Sequence, residues 1–170
     1  MISADGDLDE AVAVETGRAR FQTCVSTAGI SIMSDEPVTA GGLGSGPTPY
    51  QLLASALAAC TTMTLRLYTE RKGWLINEIS TTVGHRRDPG TALTDVFERR
   101  ISLNGSLSPD QRQRLLEIAD RCPVHRTLKG GSRIDTKFGG AMREIASAES
   151  HMVDMEALIA VGRGSYDFTE

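Results

Sequence analysis

Between Pro37 and Leu65 the chain carries no charged side chain, and this run constrains the fold more than any other feature of the sequence. Its first part, PVTAGGLGSGP, holds four glycines and reads as a loop with unusual backbone angles or close backbone approach. Thr48 and Pro49 then supply an N-cap and a first helical residue. The helix is expected to continue to Lys72, a length of roughly 36 Å, with Gly73 as its left-handed cap. Its first turns are apolar or small on nearly every side, and Arg66, Glu70, Arg71 and Lys72 gather at its end. A helix apolar all round is expected to be buried all round. Ala54, Ser55, Ala56, Ala58 and Ala59 leave room for another element to approach closely.

The remaining pattern is that of strands and one further strong helix. AVAVETGRARFQTCVSTAGISIM, with breaks at Gly17 and Gly29, predicts two or three short strands of an antiparallel meander. Arg18 and Arg20 stand two apart, which on a strand turns both to one face. INEISTTVGHRR and ALTDVFERRISLNG alternate as two long antiparallel strands about a turn at RDPGT. Phe97, Arg99, Ile101 and Leu103 fall on one face of the second. Ser108 and Pro109 open a helix whose apolar side is Leu115, Leu116, Ile118 and Ala119. It is expected to close at Cys122, with Pro123 preventing continuation, and a last strand at SRIDTKFG follows. From Ala141 a tail helix is expected, with Met142, Ile145, Met152, Met155 and Leu158 as its apolar side. The expected organisation is a frayed N-terminus over 1–10, one domain over 11–138, and a helical extension over 139–170.

Of 170 residues, 40% are hydrophobic and 24% charged, which fits a globular chain and neither a disordered nor a fibrous one. The net charge of -4 argues against a nucleic-acid partner, whose phosphates demand a basic face. No stretch is long and apolar enough for a membrane span, and MISADGDLDE is acidic where a signal peptide is basic and then apolar. The sequence therefore reads as cytoplasmic, without a membrane partner.

The 3 cysteines, Cys24, Cys60 and Cys122, form no C-x-x-C and no secreted disulfide framework. Cys60 in its alanine-rich helix is either a packing residue or a working thiol. Cys122, before a proline at a helix end, is expected to be exposed and constrained. If the two helices pack together, the two thiols meet, and a thiolate attacking a peroxide gives a sulfenic acid that a second thiol condenses to a disulfide. Such a site needs an apolar approach and a cation, because burial alone raises a thiol's pKa. Arg18 or Arg20 is the candidate cation. His125 is a candidate partner of Cys122 or a ligand of a metal site with both cysteines; one Cys-x-x-His is a weak zinc pattern. Tyr50 is a packing residue or a hydrogen-bond donor to a ligand. A binder of a hydrophobic ligand, with cysteines serving as a redox sensor, is the reading that stands beside the enzyme.

GGLGSGPTPYQLLASALAACTTMTLRLYTERKGW together with LEIADRCPVHRTL resembles the OsmC/Ohr family of thiol-dependent peroxidases, and more closely its OsmC-like branch. The resemblance extends from about Val12 to Phe138. It implies an α+β, OsmC-like fold, with antiparallel sheets wrapped around two central helices in an intertwined homodimer. It implies that Cys60 is the peroxidatic and Cys122 the resolving cysteine, that Arg18 or Arg20 supports the thiolate, and that no metal or organic cofactor is used. The implied substrate is an organic hydroperoxide, alkyl or fatty-acid, and the implied reductant a dithiol such as a lipoylated protein. In the Ohr branch a glutamate precedes the reactive cysteine by ten residues; here that position is Tyr50, followed by Gln51. A tyrosine donates a hydrogen bond but does not hold an arginine by charge. Tyr50, Gln51 and His125 are thus candidate supporting or substrate-binding residues.

Overall fold

The computed structural model describes residues 10–90 and 94–138. They form two compact units, one reaching to Leu52 and taking in the segment from Ile134, the other running from Leu53 to Arg133. The expected tail helix and nearly all of the expected frayed N-terminus lie outside the described residues.

In the first unit three antiparallel strands, β1 (Val12–Glu15), β2 (Thr23–Thr27) and β3 (Ile30–Ser34), form a meander in the order β1-β2-β3. β2 and β3 are joined by Ala28 and Gly29, with φ of 48° and 74°. Two successive positive φ values match the right-handed twist of the paired strands, and the glycine adopts its own at no steric cost. Gly17, with φ 68°, breaks the chain after β1, and Arg18 and Arg20 stand in the bend that follows. The expectation that both lie on one strand face is therefore corrected, since the left-handed turn at Gly17 ends the pleat two residues after β1.

The glycine-rich loop is built round one carboxylate. Asp35 is 2% exposed and accepts from the backbone N–H groups of Glu36, Leu43 and Ser45 and from the Ser45 hydroxyl. Burial pushes its carboxyl up, but the Ser45 hydroxyl and those N–H groups outweigh it and hold the pKa below the usual carboxylate value. The cover is a local loop wrapped on the side chain rather than a deep core. At Gly46 a Cβ would stand 2.1 Å from the Met33 carbonyl oxygen, so only glycine lets the loop cross β3 so closely.

The second unit carries α1 (Pro49–Arg71) from Leu53 onward, the ribbon of β4 (Glu78–Arg87) and β5 (Asp95–Asn104), then α2 (Pro109–Ala119) and α3 (Pro123–Gly130). The start of α1 in the first unit is a reciprocal cap. The Gln51 N–H donates to the Thr48 hydroxyl at 3.3 Å, and the Thr48 N–H donates to the Gln51 side-chain oxygen at 2.8 Å. α1 ends at Gly73, φ 64°, whose N–H bonds the Glu70 carbonyl. Ser108 and Gln111 repeat the device at α2.

β4 and β5 pair antiparallel from Glu78↔Asn104 to Arg87↔Asp95. Ile79 and Val83 turn inward with Phe97, Arg99, Ile101 and Leu103, as their alternation predicts, and the other face is exposed apart from half-buried Val96. Leu65, Tyr68, Ile76, Ile79, Leu115, Ile118 and Ala119 form the main core, with the Tyr68 and Trp74 rings edge-to-face at 5.6 Å.

Three expectations are corrected. α1 is buried along one stripe only, Ala54, Leu57, Cys60, Thr61, Thr64, Leu65, Tyr68 and Thr69, because one chain covers one side; Tyr50, Leu53 and Met63 remain 41%, 43% and 52% exposed. α2 ends at Ala119, and Pro123 starts a new helix, since a ring that cannot follow a helical residue is well suited to the first position of the next. The expected last strand is irregular over 132–138, where Ile134 stands 85% exposed.

Candidate active site

Every third or fourth residue of α1 faces inward, and this stripe carries Cys60 into a small apolar cluster. Leu57, Cys60 and Cys122 are its buried members, with Val83 and Phe97 of the ribbon and Val124 and Leu128 of α3 packed against them. Cys122 reaches the same place from the N-cap of α3. It is fully buried, against the exposed position expected from its proline, because α3 continues the chain and folds the turn inward. The two sulfurs lie 2.6 Å apart, both as free thiols.

One proton bridges this contact, and charge distributes unequally. Hydrogen bonding from Cys60 lowers the Cys122 pKa from 9.0 to about 6, against the opposing effect of burial. The His125 and Val124 N–H groups at the start of α3 assist, although neither closes into a full capping bond. Cys60 is pushed far up, first by its hydrogen bond with Cys122, then by burial and by repulsion from the Cys122 charge. Geometry alone draws the bond from the Cys122 sulfur to the Cys60 sulfur, whereas the electrostatics lower Cys122 and raise Cys60; we follow the electrostatics and place the proton on Cys60, because the His125 and Val124 N–H groups favour a charge on Cys122. On this assignment the form favoured at neutral pH is a Cys60 thiol donating to a Cys122 thiolate.

Polar groups round the pair are satisfied. Thr61 and Thr64 donate to the Leu57 and Cys60 carbonyls, at 2.7 and 2.8 Å, so both buried hydroxyls are satisfied within their own helix. The Arg99 guanidinium, its side chain 14% exposed, donates to the Thr61 hydroxyl at 3.1 Å, the Ala119 carbonyl at 3.0 Å and the Asp120 carboxylate at 2.7 Å. His125 lies 3.8 Å from the same carboxylate. Burial lowers its pKa, Asp120 opposes this, and the charges of Arg99 and Lys129 add to it, which favours the neutral imidazole.

The other expected site residues, Arg18, Arg20, Tyr50 and Gln51, belong to the first unit. Arg18 and Arg20 are exposed in the first unit, the Arg20 guanidinium 5.0 Å over the Phe21 ring. Tyr50 is half-exposed in the first turn of α1, and the Gln51 side chain caps that turn. Among the described residues no three His, Cys, Asp or Glu side chains gather to hold a metal ion. Arg99, Asp120 and Thr61 were not singled out from sequence. The signal for Arg99 was a cation on the apolar face of a strand, between Phe97 and Ile101.

Two buried thiols in contact can exchange between dithiol and disulfide with little motion. The sequence profile described as OsmC-like protein matches residues 42–137. Among solved structures, an OsmC-like protein from Mycoplasma pneumoniae is similar at 22% identity over 72% of this chain and 88% of its own, with a TM-score of 0.61. An organic hydroperoxide resistance protein from Elizabethkingia anophelis is similar at 21% identity over 71% and 86%, with a TM-score of 0.56. An OsmC-like protein of unknown function from Vibrio cholerae gives 12% identity, 71% and 94%, and a TM-score of 0.53. No curated protein matches the chain.

Proposed function

We propose that this chain, which belongs to the OsmC family, is a dithiol peroxidase acting on organic hydroperoxides. The observation that carries the reading is the 2.6 Å contact between two buried thiols in an apolar setting. In the first step the Cys60 sulfur attacks the distal oxygen of an alkyl or fatty-acid hydroperoxide while the Cys122 thiolate takes the Cys60 proton. The O–O bond breaks, leaving Cys60 as sulfenic acid and an alkoxide that water protonates to the alcohol. Next the Cys122 sulfur attacks the sulfenic sulfur, giving the Cys60–Cys122 disulfide and water. An external dithiol, such as a lipoylated protein, reduces the disulfide by exchange. The cation that steadies the developing negative charge is Arg18 or Arg20, by resemblance to the family. Tyr50 stands where the Ohr branch has an acid and donates a hydrogen bond; His125, neutral beside Cys122, supports the resolving thiol.

The exposed apolar face of α1 supports a homodimer in which sheets wrap around two central helices and a second copy covers Leu53 and Met63. No helix among the described residues is long and apolar enough to cross a membrane, which accords with action away from one. A second reading rests on the raised Cys60 pKa. A nucleophile held as thiol by its neighbour reacts slowly, as suits a redox sensor oxidised once per signal.

Consumption of cumene hydroperoxide with excess dithiol separates the two. The enzyme reading expects many turnovers in the parent, none in Cys60→Ser, and one event followed by overoxidation in Cys122→Ser. Equal consumption by Cys60→Ser and the parent would remove Cys60 from the chemistry, and a single stoichiometric event in the parent would favour the sensor.

A further inference from the structure

Arg99 is a cation on the inward face of β5, and its three bonds join elements that are far apart in sequence. One nitrogen donates both to the hydroxyl of Thr61, the residue after Cys60, and to the carbonyl oxygen of Ala119. That carbonyl also accepts the backbone N–H of Cys122, at 3.2 Å. The other terminal nitrogen holds Asp120, inside the same turn. The guanidinium thus ties the helix that carries Cys60 to the turn that carries Cys122. We propose that Arg99 is a positioning residue for disulfide formation, fixing the turn from Ala119 to Cys122 on α1 so that the two sulfurs stay in contact.

The inference deepens the proposed function and rests on it for its catalytic meaning, whereas the tie itself is a property of the dithiol pair. Between α2 and α3 the turn's own backbone bonds run from the Asp120 N–H to Leu116, the Arg121 N–H to Ile118 and the Cys122 N–H to Ala119, each back into the end of α2 rather than across to α1. Planar, multidentate donation is what arginine offers and lysine lacks, so the charge alone does not replace it. When Cys60 becomes a sulfenic acid, the Cys122 sulfur must approach along the S–O axis, and a turn free to swing leaves the oxidised sulfur exposed to a second peroxide.

The test compares Arg99→Gln, Arg99→Lys, Thr61→Val and, as a control on the exposed face of the same strand, Arg100→Gln. The first readout uses no peroxide: the equilibrium of the Cys60–Cys122 pair with dithiothreitol, followed by thiol counting. Loss of the tie should lower the disulfide's formation constant about tenfold in Arg99→Gln, less in Thr61→Val, with Arg99→Lys falling between Gln and the parent. Arg100→Gln should match the parent. In the second readout, one equivalent of cumene hydroperoxide should give mainly disulfide in the parent and a growing share of Cys60 sulfinic acid in Arg99→Gln. Should Arg99→Gln lack native circular dichroism, Arg99→Lys carries the test. A folded variant, Gln or Lys, with the parent's dithiothreitol equilibrium and product ratio overturns the inference. A parent that consumes no peroxide removes the proposed function instead, while the shift in the dithiothreitol equilibrium still decides the role of Arg99.

Discussion

The unequal sharing of one proton between Cys60 and Cys122 predicts an unusual dependence of stability on pH. In a Cys24→Ser background only the pair titrates among thiols. With Cys122 at about 6, roughly nine molecules in ten carry its thiolate at pH 7. In the unfolded chain both thiols titrate near 9.0. Below about pH 6 both states keep both protons, and the pair gives no slope. Between about 6 and 9.0 the unfolded chain holds two thiol protons and the folded chain one, so stability rises with pH. Above 9.0 the unfolded chain loses both while folded Cys60, whose pKa is raised, keeps its own, so stability falls. Each limb has a slope of at most about 1.4 kcal/mol per pH unit. The assay is a series of guanidinium melts across this range, with thiolate absorbance recorded on the folded protein. Cys60→Ala removes the donor, so the Cys122 thiolate should appear at higher pH and the rising limb should flatten. A first thiolate in the parent only near 9.0, or an unchanged Cys122 titration in Cys60→Ala, would refute the shared-proton account.

Two further outcomes follow from other parts of the molecule. Asp35→Asn should lower the thermal midpoint at neutral pH by loosening the loop that its carboxylate gathers. Because the folded pKa of Asp35 is depressed, its stabilisation is present above 3.8 and lost as pH falls through the folded value; the asparagine variant should therefore show a shallower acid limb, and parallel acid limbs would count against the assignment. If the proposed dimer forms through the exposed stripe of α1, the parent should sediment as a dimer and Met63→Glu as a monomer of unaltered fold; a dimeric Met63→Glu or a monomeric parent would count against that interface.

Local signals carried well from sequence to structure. Thr48, Pro49 and Gln51 lie within one helical turn, and a cap depends on nothing beyond it. The alternation of β4 and β5 likewise put Arg99 on the inward face. What Arg99 does there was not legible, because its partners Thr61, Ala119 and Asp120 come from two other elements and only packing brings them together. Pro123 misled for a physical reason, since the same ring ends one helix and opens the next. Spacing alone left Cys60 undecided between packing and chemistry; its paired motif at RCPVH suggested the contact that the fold provides.

The contact between Cys60 and Cys122 spans 62 positions of the chain. A covalent bond there would close a loop covering much of the domain and restrict the unfolded ensemble more than the folded one. In the chain-entropy account, closing a loop of this size is worth about 4 kcal/mol. The oxidised molecule would therefore resist unfolding more than the reduced one, so each round of reduction returns the chain to its less heat-resistant form.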